Sequence, residues 1–588
     1  MNFKSWSGTP LQRILCLAGV CLFCILFDYL PTSLLARSVQ VKVDETSPRF
    51  SASRALNTIR EFVAQFPTRR FGSLESRQAT GYLAQRLTAM GYEVEFINFD
   101  GRIGGGQQAG RNVLGYKQGE LANKSDIEVI IAVTAHYDTA RPTIQGAAKN
   151  GAAVGVLMEL AELFSEENTR LSLLFVFTDG GEWGSTGAKD LILNYEKKDR
   201  IGAVLTLDYI APGDLGGFRL DTIGQSGGST PTVIRELAKN AVKKQTLLNP
   251  VKTWGTELLE KVFMISNSEQ GPFLKAGIPA INLGSFSTDM NREKAIIHSS
   301  EDTIENLKIE TIDKYGRAAE QIVRSFIQLP ESYFKAPALD TGMIRERVFV
   351  VLFMIPALFL SVYVSIKGSR KILNFRQTAR ELAAFFAAWI PFLVLFLGIR
   401  LAYAARQFPF YDLYPAVAKD PVMQNPPWKV LAIIATGVLF VAIAVWIAAR
   451  YFLREWAKPD YRNSYTVLWC ILTLTVFPAL LYNPFWAAIF FAPPVILWSM
   501  PQVMKNPKSD AGKKILNITC VAASAVPACI AFCRLAAQLG FGWNFFWYQA
   551  LALTTGLFSP AAYFMGTAVI AVGIRFIVLS NNINRTGW

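Results

Sequence analysis

Ile131-Ala132-Val133-Thr134-Ala135-His136-Tyr137-Asp138 is an apolar run that stops abruptly on an imidazole and a carboxylate. A run this continuously apolar reads as a strand covered on both faces, because a strand with one wet face would alternate. His136 is one of only two histidines in the 588-residue chain. The other, His298, stands in Ile296-Ile297-His298-Ser299-Ser300-Glu301-Asp302-Thr303.

Two further runs end in the same manner. Leu171 to Phe177 leads into Thr178-Asp179-Gly180-Gly181-Glu182-Trp183-Gly184, and Ala203 to Leu207 leads into Asp208. Glu93 to Phe99, Asn112 to Tyr116 and Ala280 to Leu283 complete the strand expectations. Helical spacing marks Ala55 to Phe66, Ser76 to Met90, Ala152 to Phe164, Thr232 to Val242 and Ile309 to Ile327. Strands alternating with helices predict an α/β fold, a mixed sheet flanked by helices. The glycine-rich Gly101 to Gly106 lacks the strand-turn-helix frame of a phosphate loop and reads as a surface loop.

Outside this region the composition changes. A mean hydropathy of +0.26 with 51% hydrophobic residues is too apolar for an ordinary soluble chain. Apolar runs near 347–366, 382–404, 430–450, 465–482, 485–500, 515–537 and 546–579 predict an all-α multi-span transmembrane bundle of about seven helices over 346–580. The last run contains Pro560 and reads as one tilted span or two short ones. Lys4 and Arg13 precede another run over 14–35, read as an uncleaved anchor or a signal peptide. The expected order is a cytoplasmic 1–13, the anchor, an extracytoplasmic domain over 40–335, the bundle, and a tail over 581–588.

The net charge of +14 fits that layout better than it fits nucleic-acid binding. Lys367, Arg370, Lys371, Arg376 and Arg380 fall in one loop between apolar runs. Arg450, Arg454, Lys458 and Arg462 fall in a second, and Lys505, Lys508, Lys513 and Lys514 in a third. Against Glu455, Asp460 and Asp510 they supply ten of the fourteen net charges, a positive-inside signature. Asp28, Arg400, Arg534 and Arg575 all lie toward run ends, where long side chains reach the interface, which disfavours an ion-coupled transporter. All seven cysteines lie in apolar segments, so neither disulfides nor thiol chemistry serve the soluble region. A single Asn123-Lys124-Ser125 sequon does not separate a bacterial inner membrane from an endoplasmic reticulum.

Imidazoles and carboxylates at successive strand ends are what a metallohydrolase needs. Asp138 is placed to orient His136. In their order, the segments resemble the co-catalytic di-zinc aminopeptidase family, which includes glutaminyl cyclases, aminopeptidase Y-like enzymes and the transferrin-receptor ectodomain. That family shows His-Tyr-Asp, Gly-Ala-x-Asp-Asn, Asp-Gly-Glu-Glu-x-Gly, Leu-Asp, Ser-Asp-x-x-Pro-Phe and finally His-x-x-x-Asp-Thr. This chain has His136-Tyr137-Asp138, Gly146-Ala147-Ala148-Lys149-Asn150, Asp179-Gly180-Gly181-Glu182-Trp183-Gly184 and Leu207-Asp208. It continues with Ser268-Glu269-Gln270-Gly271-Pro272-Phe273 and with His298 before Asp302-Thr303.

The resemblance implies one or two zinc ions, with His136 and Asp208 on one and Glu182 and His298 on the other. Asp138, Asn150, Asp179 and Glu269 would line the site. It also places Lys149 where the bridging aspartate belongs and Gly181 where the general base belongs. An ammonium repels dications, and a missing base costs ~10²–10⁴-fold in rate. Two expectations follow. One is a catalytically impaired relative that binds a peptide or protein, or scaffolds a membrane protein complex, in a layout similar to the membrane subunit of GPI transamidase. In that case Lys149 could pair with Asp208 and Glu182 in place of metal. The other is an active membrane exopeptidase with a remodelled, single-zinc site, using Glu269, Asp179 or Glu301 as base.

Overall fold

The computed structural model describes residues 42–581 except 104–105, 124–127, 226, 251–253, 267, 331–332, 335–340, 370–374, 406, 408–423, 448–460, 504–509 and 556–557. The run over 14–35 and most of the three basic loops fall outside the described residues.

The first part folds as α1 (Ala52–Gln65), α2 (Leu74–Ala89), β1 (Glu93–Ile103), β2 (Gly106–Lys117), β3 (Ile130–His136), α3 (Ala152–Ser165), β4 (Ser172–Thr178), α4 (Thr186–Asn194), β5 (Ile201–Leu207) and β6 (Leu215–Asp221). It continues with α5 (Thr232–Thr246), α6 (Trp254–Phe263), α7 (Gln270–Lys275), β7 (Ala280–Ser287), α8 (Met290–Ile296) and α9 (Ile309–Ile327). The seven strands form one mixed sheet in the order β1-β2-β4-β3-β5-β7-β6. β3 runs parallel to β4 and β5 on its two sides, with His136 opposite Thr178 and Thr134 opposite Thr206.

Every residue of β3 and β4 is buried, which is why these strands read as unbroken apolar runs. One sheet face packs on α1, α3, α5 and α9 through Phe62, Leu157, Phe164, Leu237 and Ile322. The other packs on α4 and α7 through Ala188, Leu191, Phe273 and Leu274. Each such Leu, Ile or Phe side chain contributes about 1.5–3 kcal/mol on burial. Ser51 and Ser73 cap α1 and α2, their hydroxyls accepting from Arg54 N and Ser76 N. Gly155 sets the spacing of α1 and α3, because a Cβ there would meet Ile59 Cγ1 at 2.3 Å.

Some expectations need correction. Gly101 to Gly106 is mainly strand: β1 runs to Ile103 and β2 begins at Gly106, with Ile103 and Gly106 paired in register. Edge strands tolerate glycine, and Gln107–Asp100 and Arg111–Asn98 side-chain bonds tie this hairpin across. The second edge strand, β6, escaped notice because Leu215-Gly216-Gly217-Phe218 breaks both the alternation and the apolar run.

The C-terminal part is helical: α10 (Thr341–Ser369), α11 (Phe375–Ala404), α12 (Trp428–Ile447), α13 (Tyr461–Tyr482), α14 (Pro484–Phe490), α15 (Ala492–Val503), α16 (Asp510–Leu539), α17 (Phe545–Thr555) and α18 (Pro560–Asn581). The last apolar run is thus divided between α17 and α18. Among the described residues, four helical segments are long and apolar enough to cross a bilayer: Phe375–Ala404, Asn463–Tyr482, Lys514–Leu539 and Pro560–Leu579. They mark a multi-pass membrane protein. Arg575, expected to reach the interface, is instead 3% exposed and holds Glu381 of α11 in a two-pronged ion pair at 2.8 Å. A charge in apolar surroundings is held by such a partner when it cannot reach water.

The two parts meet at α6. Leu259, Val262 and Phe263 join the apolar core of the bundle, and the Phe263 ring lies 5.2 Å from that of Phe532. The Asn483 amide donates to Lys261 O and Val262 O at 2.8 and 3.0 Å, satisfying carbonyls at the end of α6.

Candidate functional site

β3, β4 and β5 are adjacent and parallel, so their C-terminal ends open at one edge of the sheet. The connection after β3 runs to β4 on one side and the connection after β5 runs to β6 and β7 on the other, so the edge between β3 and β5 is a topological switch point, the usual place for a site in such sheets. His136 ends β3, Asp179 to Glu182 follow β4, and Asp208 follows β5. The loop after α8 brings His298 to the same place, with its φ at +53° in the left-handed region.

Asp138 organises the centre. Its carboxylate accepts from Gly181 N at 2.7 Å and Glu182 N at 3.1 Å, and lies 3.0 Å from His136 Nδ1. The other ring nitrogen, Nε2, lies 3.6 Å from Asp208 Oδ1. Burial and the Lys149 ammonium oppose charge on this imidazole, but the two flanking carboxylates outweigh them and raise its pKa to about 10. Lys149 Nζ contacts the Asp208 carboxylate directly. Burial disfavours the charges of both partners, yet their mutual attraction raises the Lys149 pKa and holds Asp208 well below the carboxylate range. His298 Nε2 lies 3.2 Å from Glu182 Oε1. Burial works against the Glu182 charge, but His298, Lys149 and His136 bring its pKa down to about 2.

Two residues hold the loop carrying Lys149: Arg69, which the sequence does not mark, and Asp302 of the His298 motif. Arg69 is completely buried and donates to Tyr137 O, Phe66 O, Gln145 O and Gly146 O, at 2.6 to 3.3 Å. Asp302 accepts from Ala148 N at 2.6 Å and Lys149 N at 3.1 Å. Burial raises the Asp302 pKa to about 6, despite those amides. Asn150 donates to His136 O at 2.9 Å. Nothing in the local sequence around Arg69 marks it; its partners are 68 to 77 residues away, except Phe66.

The carboxylates that could replace a missing base are otherwise engaged. Glu269 receives the hydroxyls of Thr178 and Thr134. Asp179 accepts from Ser76 Oγ at 3.1 Å and Gly180 N at 2.9 Å, and burial beside Asp138 raises its pKa to about 7. Glu301 is exposed, and its own amide donates to Ser299 Oγ.

These side chains do not fit a co-catalytic zinc pair. The Asp208 oxygen is taken by an ammonium. Among the described residues, no group of three or more His, Cys, Asp or Glu side chains is arranged to hold a metal ion.

The gathered loops agree with comparisons to known proteins. Residues 118–323 match peptidase family M28. The alkaline phosphatase isozyme conversion protein of Escherichia coli (strain K12) is 28% identical over 206 residues, 31% of this chain and 56% of its own length. Transferrin receptor protein 2 of Rattus norvegicus is 31% identical over 173 residues, 28% of this chain and 21% of its own length. The chain thus spans about half the length of the first of these relatives and a fifth of the second. A solved zinc aminopeptidase from Bacillus subtilis superposes with a TM-score of 0.39 at 14% identity, covering 47% of this chain and 95% of its own. Residues 118–323 are thus similar to peptidase family M28, and a C-terminal region of apolar helices follows them.

Proposed function

We propose that this domain is a non-hydrolytic member of its family, which binds a peptide or protein on behalf of a membrane-embedded assembly. One observation carries the reading: the buried Lys149 ammonium rests on Asp208, where the family resemblance places a metal bridge. Lys149 supplies positive charge beside Asp208 and Glu182, so these carboxylates stay ionised without a dication. The strand-end loops keep their charged side chains together and lack an electrophile. Gly181 has no side chain to take a proton, and Glu269 and Asp179 hold hydroxyls instead of facing an open position. What remains is a cluster of fixed charges suited to holding a peptide terminus without cutting it.

The Glu182–His298 pair favours a second reading, because these two neighbouring donors could serve a single zinc. One experiment separates the readings. The full chain, purified in detergent micelles without chelator, is analysed for zinc and assayed on aminoacyl-anilide and dipeptide substrates. Our reading expects well under one zinc per chain and no turnover above a Lys149→Met control. One zinc per chain with chelator-sensitive turnover would establish the single-metal exopeptidase, and two would restore the ordinary family mechanism.

A further inference from the structure

The sheet domain and the bundle meet around a cleft of about 510 Å³, open solvent included. Thr222 and Ser229 line it from the turn after β6, Arg235 from α5, Lys261 from α6 and Arg347 from α10, and Asn483 lines it at the end of α13. No carboxylate is among its lining residues. Arg235 lies 3.5 Å from its neighbour Glu236, and Lys261 lies 2.7 Å from Glu257 one turn earlier. Arg347 has no carboxylate partner among the described residues. Three cations from three separate helices therefore converge on a concave surface carrying an excess of positive charge, and low-dielectric walls concentrate such a field.

The place and the chemistry point the same way. Asn483 directly follows a membrane helix, and Arg347 stands just before the apolar stretch of α10 that begins at Val350. The cleft is thus level with the ends of the apolar segments, the depth at which lipid head groups lie. Two guanidinium forks and an ammonium match a group that spreads negative charge over several oxygens in different directions, as phosphate does.

We propose that this cleft binds a phosphate ester of the kind carried by phospholipid head groups. The site is distinct from the strand-end cluster and does not depend on whether that cluster hydrolyses anything. In non-ionic detergent micelles, the full chain is titrated with short-chain phosphatidylglycerol, short-chain phosphatidylcholine and inorganic phosphate at fixed ionic strength, with calorimetric detection. Phosphatidylglycerol is expected to bind saturably, and Arg347→Gln and Arg235→Gln should each weaken it about tenfold, the loss of one charge-assisted contact. Arg347→Lys should lose less. Unliganded melting temperatures for all three variants separate a binding loss from a folding loss. Equal affinity for inorganic phosphate would keep the phosphate site and assign it to a free ion. Absence of binding by both anions, or affinities unchanged in well-folded Arg347→Gln and Arg235→Gln, would overturn the proposal.

Discussion

A Cβ placed on Gly181 would lie 2.2 Å from Cγ of His136 and 2.7 Å from Cδ2. The imidazole therefore fills the space into which a base at this position would project, and Asp138 holds it there while also accepting from Gly181 N. Loss of the side chain at 181 and the position of the ring are one arrangement. Gly181→Glu should accordingly lower stability by about 1–3 kcal/mol, as overpacked buried sites do, and should not create hydrolytic activity. Thermal melting and a peptidase assay of the variant check this. Detectable turnover without loss of stability would show that His136 yields freely.

Lys149→Met removes the ammonium and leaves Asp208 and Glu182 buried with only the imidazoles of His136 and His298 beside them. The expected cost is about 3–5 kcal/mol, the usual consequence of orphaning a buried charge. Lys149→Asp should be destabilised further without metal and should regain part of its melting temperature when zinc is added. A Lys149→Asp protein whose melting point ignores zinc would show that the remaining donors cannot converge on an ion.

Arg69 has no carboxylate in its hydrogen-bond set; its work is to satisfy four carbonyls on the segments around the Lys149 loop. Arg69→Met leaves those acceptors buried without donors, at about 1–3 kcal/mol for each one that water does not reach. Hydrogen exchange should rise over residues 137–150 ahead of the rest of the sheet. Uniform exchange across the domain would argue against this local role.

The pH dependence follows from two shifts of opposite sense. The His136 pKa is raised to about 10 from an ordinary 6.5, so its contribution to stability is complete below 6.5 and is lost as pH rises through 10. The Glu182 pKa is lowered to about 2 from 4.5, so its contribution is complete above 4.5 and is lost as pH falls through 2. Together they place the greatest stability from these groups between pH 4.5 and 6.5. On the alkaline side the fall is at most ~1.4 kcal/mol per pH unit for the one proton involved. Denaturant melts of the wild type and His136→Gln across pH 6 to 10 test this; the variant should lose the alkaline slope.

At the junction, Asn483→Ala removes the amide that caps α6 and should cost about 1–2 kcal/mol in the docking of that helix. Faster hydrogen exchange over residues 254–263, with the sheet unchanged, is the expected signature. An unaltered α6 would mean that Phe263 and Val262 alone hold it.

Much was readable along the chain because it rests on local patterns. Unbroken apolar runs reported β3, β4 and β5, since a strand covered on both faces excludes polar residues wherever it lies. Charged or glycine-rich residues at the ends of those runs reported the strand-end loops. The edge strand β6 and helix α4 were not legible: the first is interrupted by glycines, and the second is too short for a helical period to stand out. Arg69 was silent because its partners are carbonyls, which every residue has.

The alternation of apolar strands with helices by itself determined the α/β class, and the order of motifs the family likeness and the replacement of two expected acids by Lys149 and Gly181. Only the tertiary structure decided what those replacements do. Sequence records which charges are present, but whether an ammonium settles a carboxylate or repels a metal depends on distances of a few ångströms between residues dozens of positions apart. Here that distance brings Lys149 onto Asp208 and lays His136 over Gly181, and the chain does not disclose either contact until the strands are side by side.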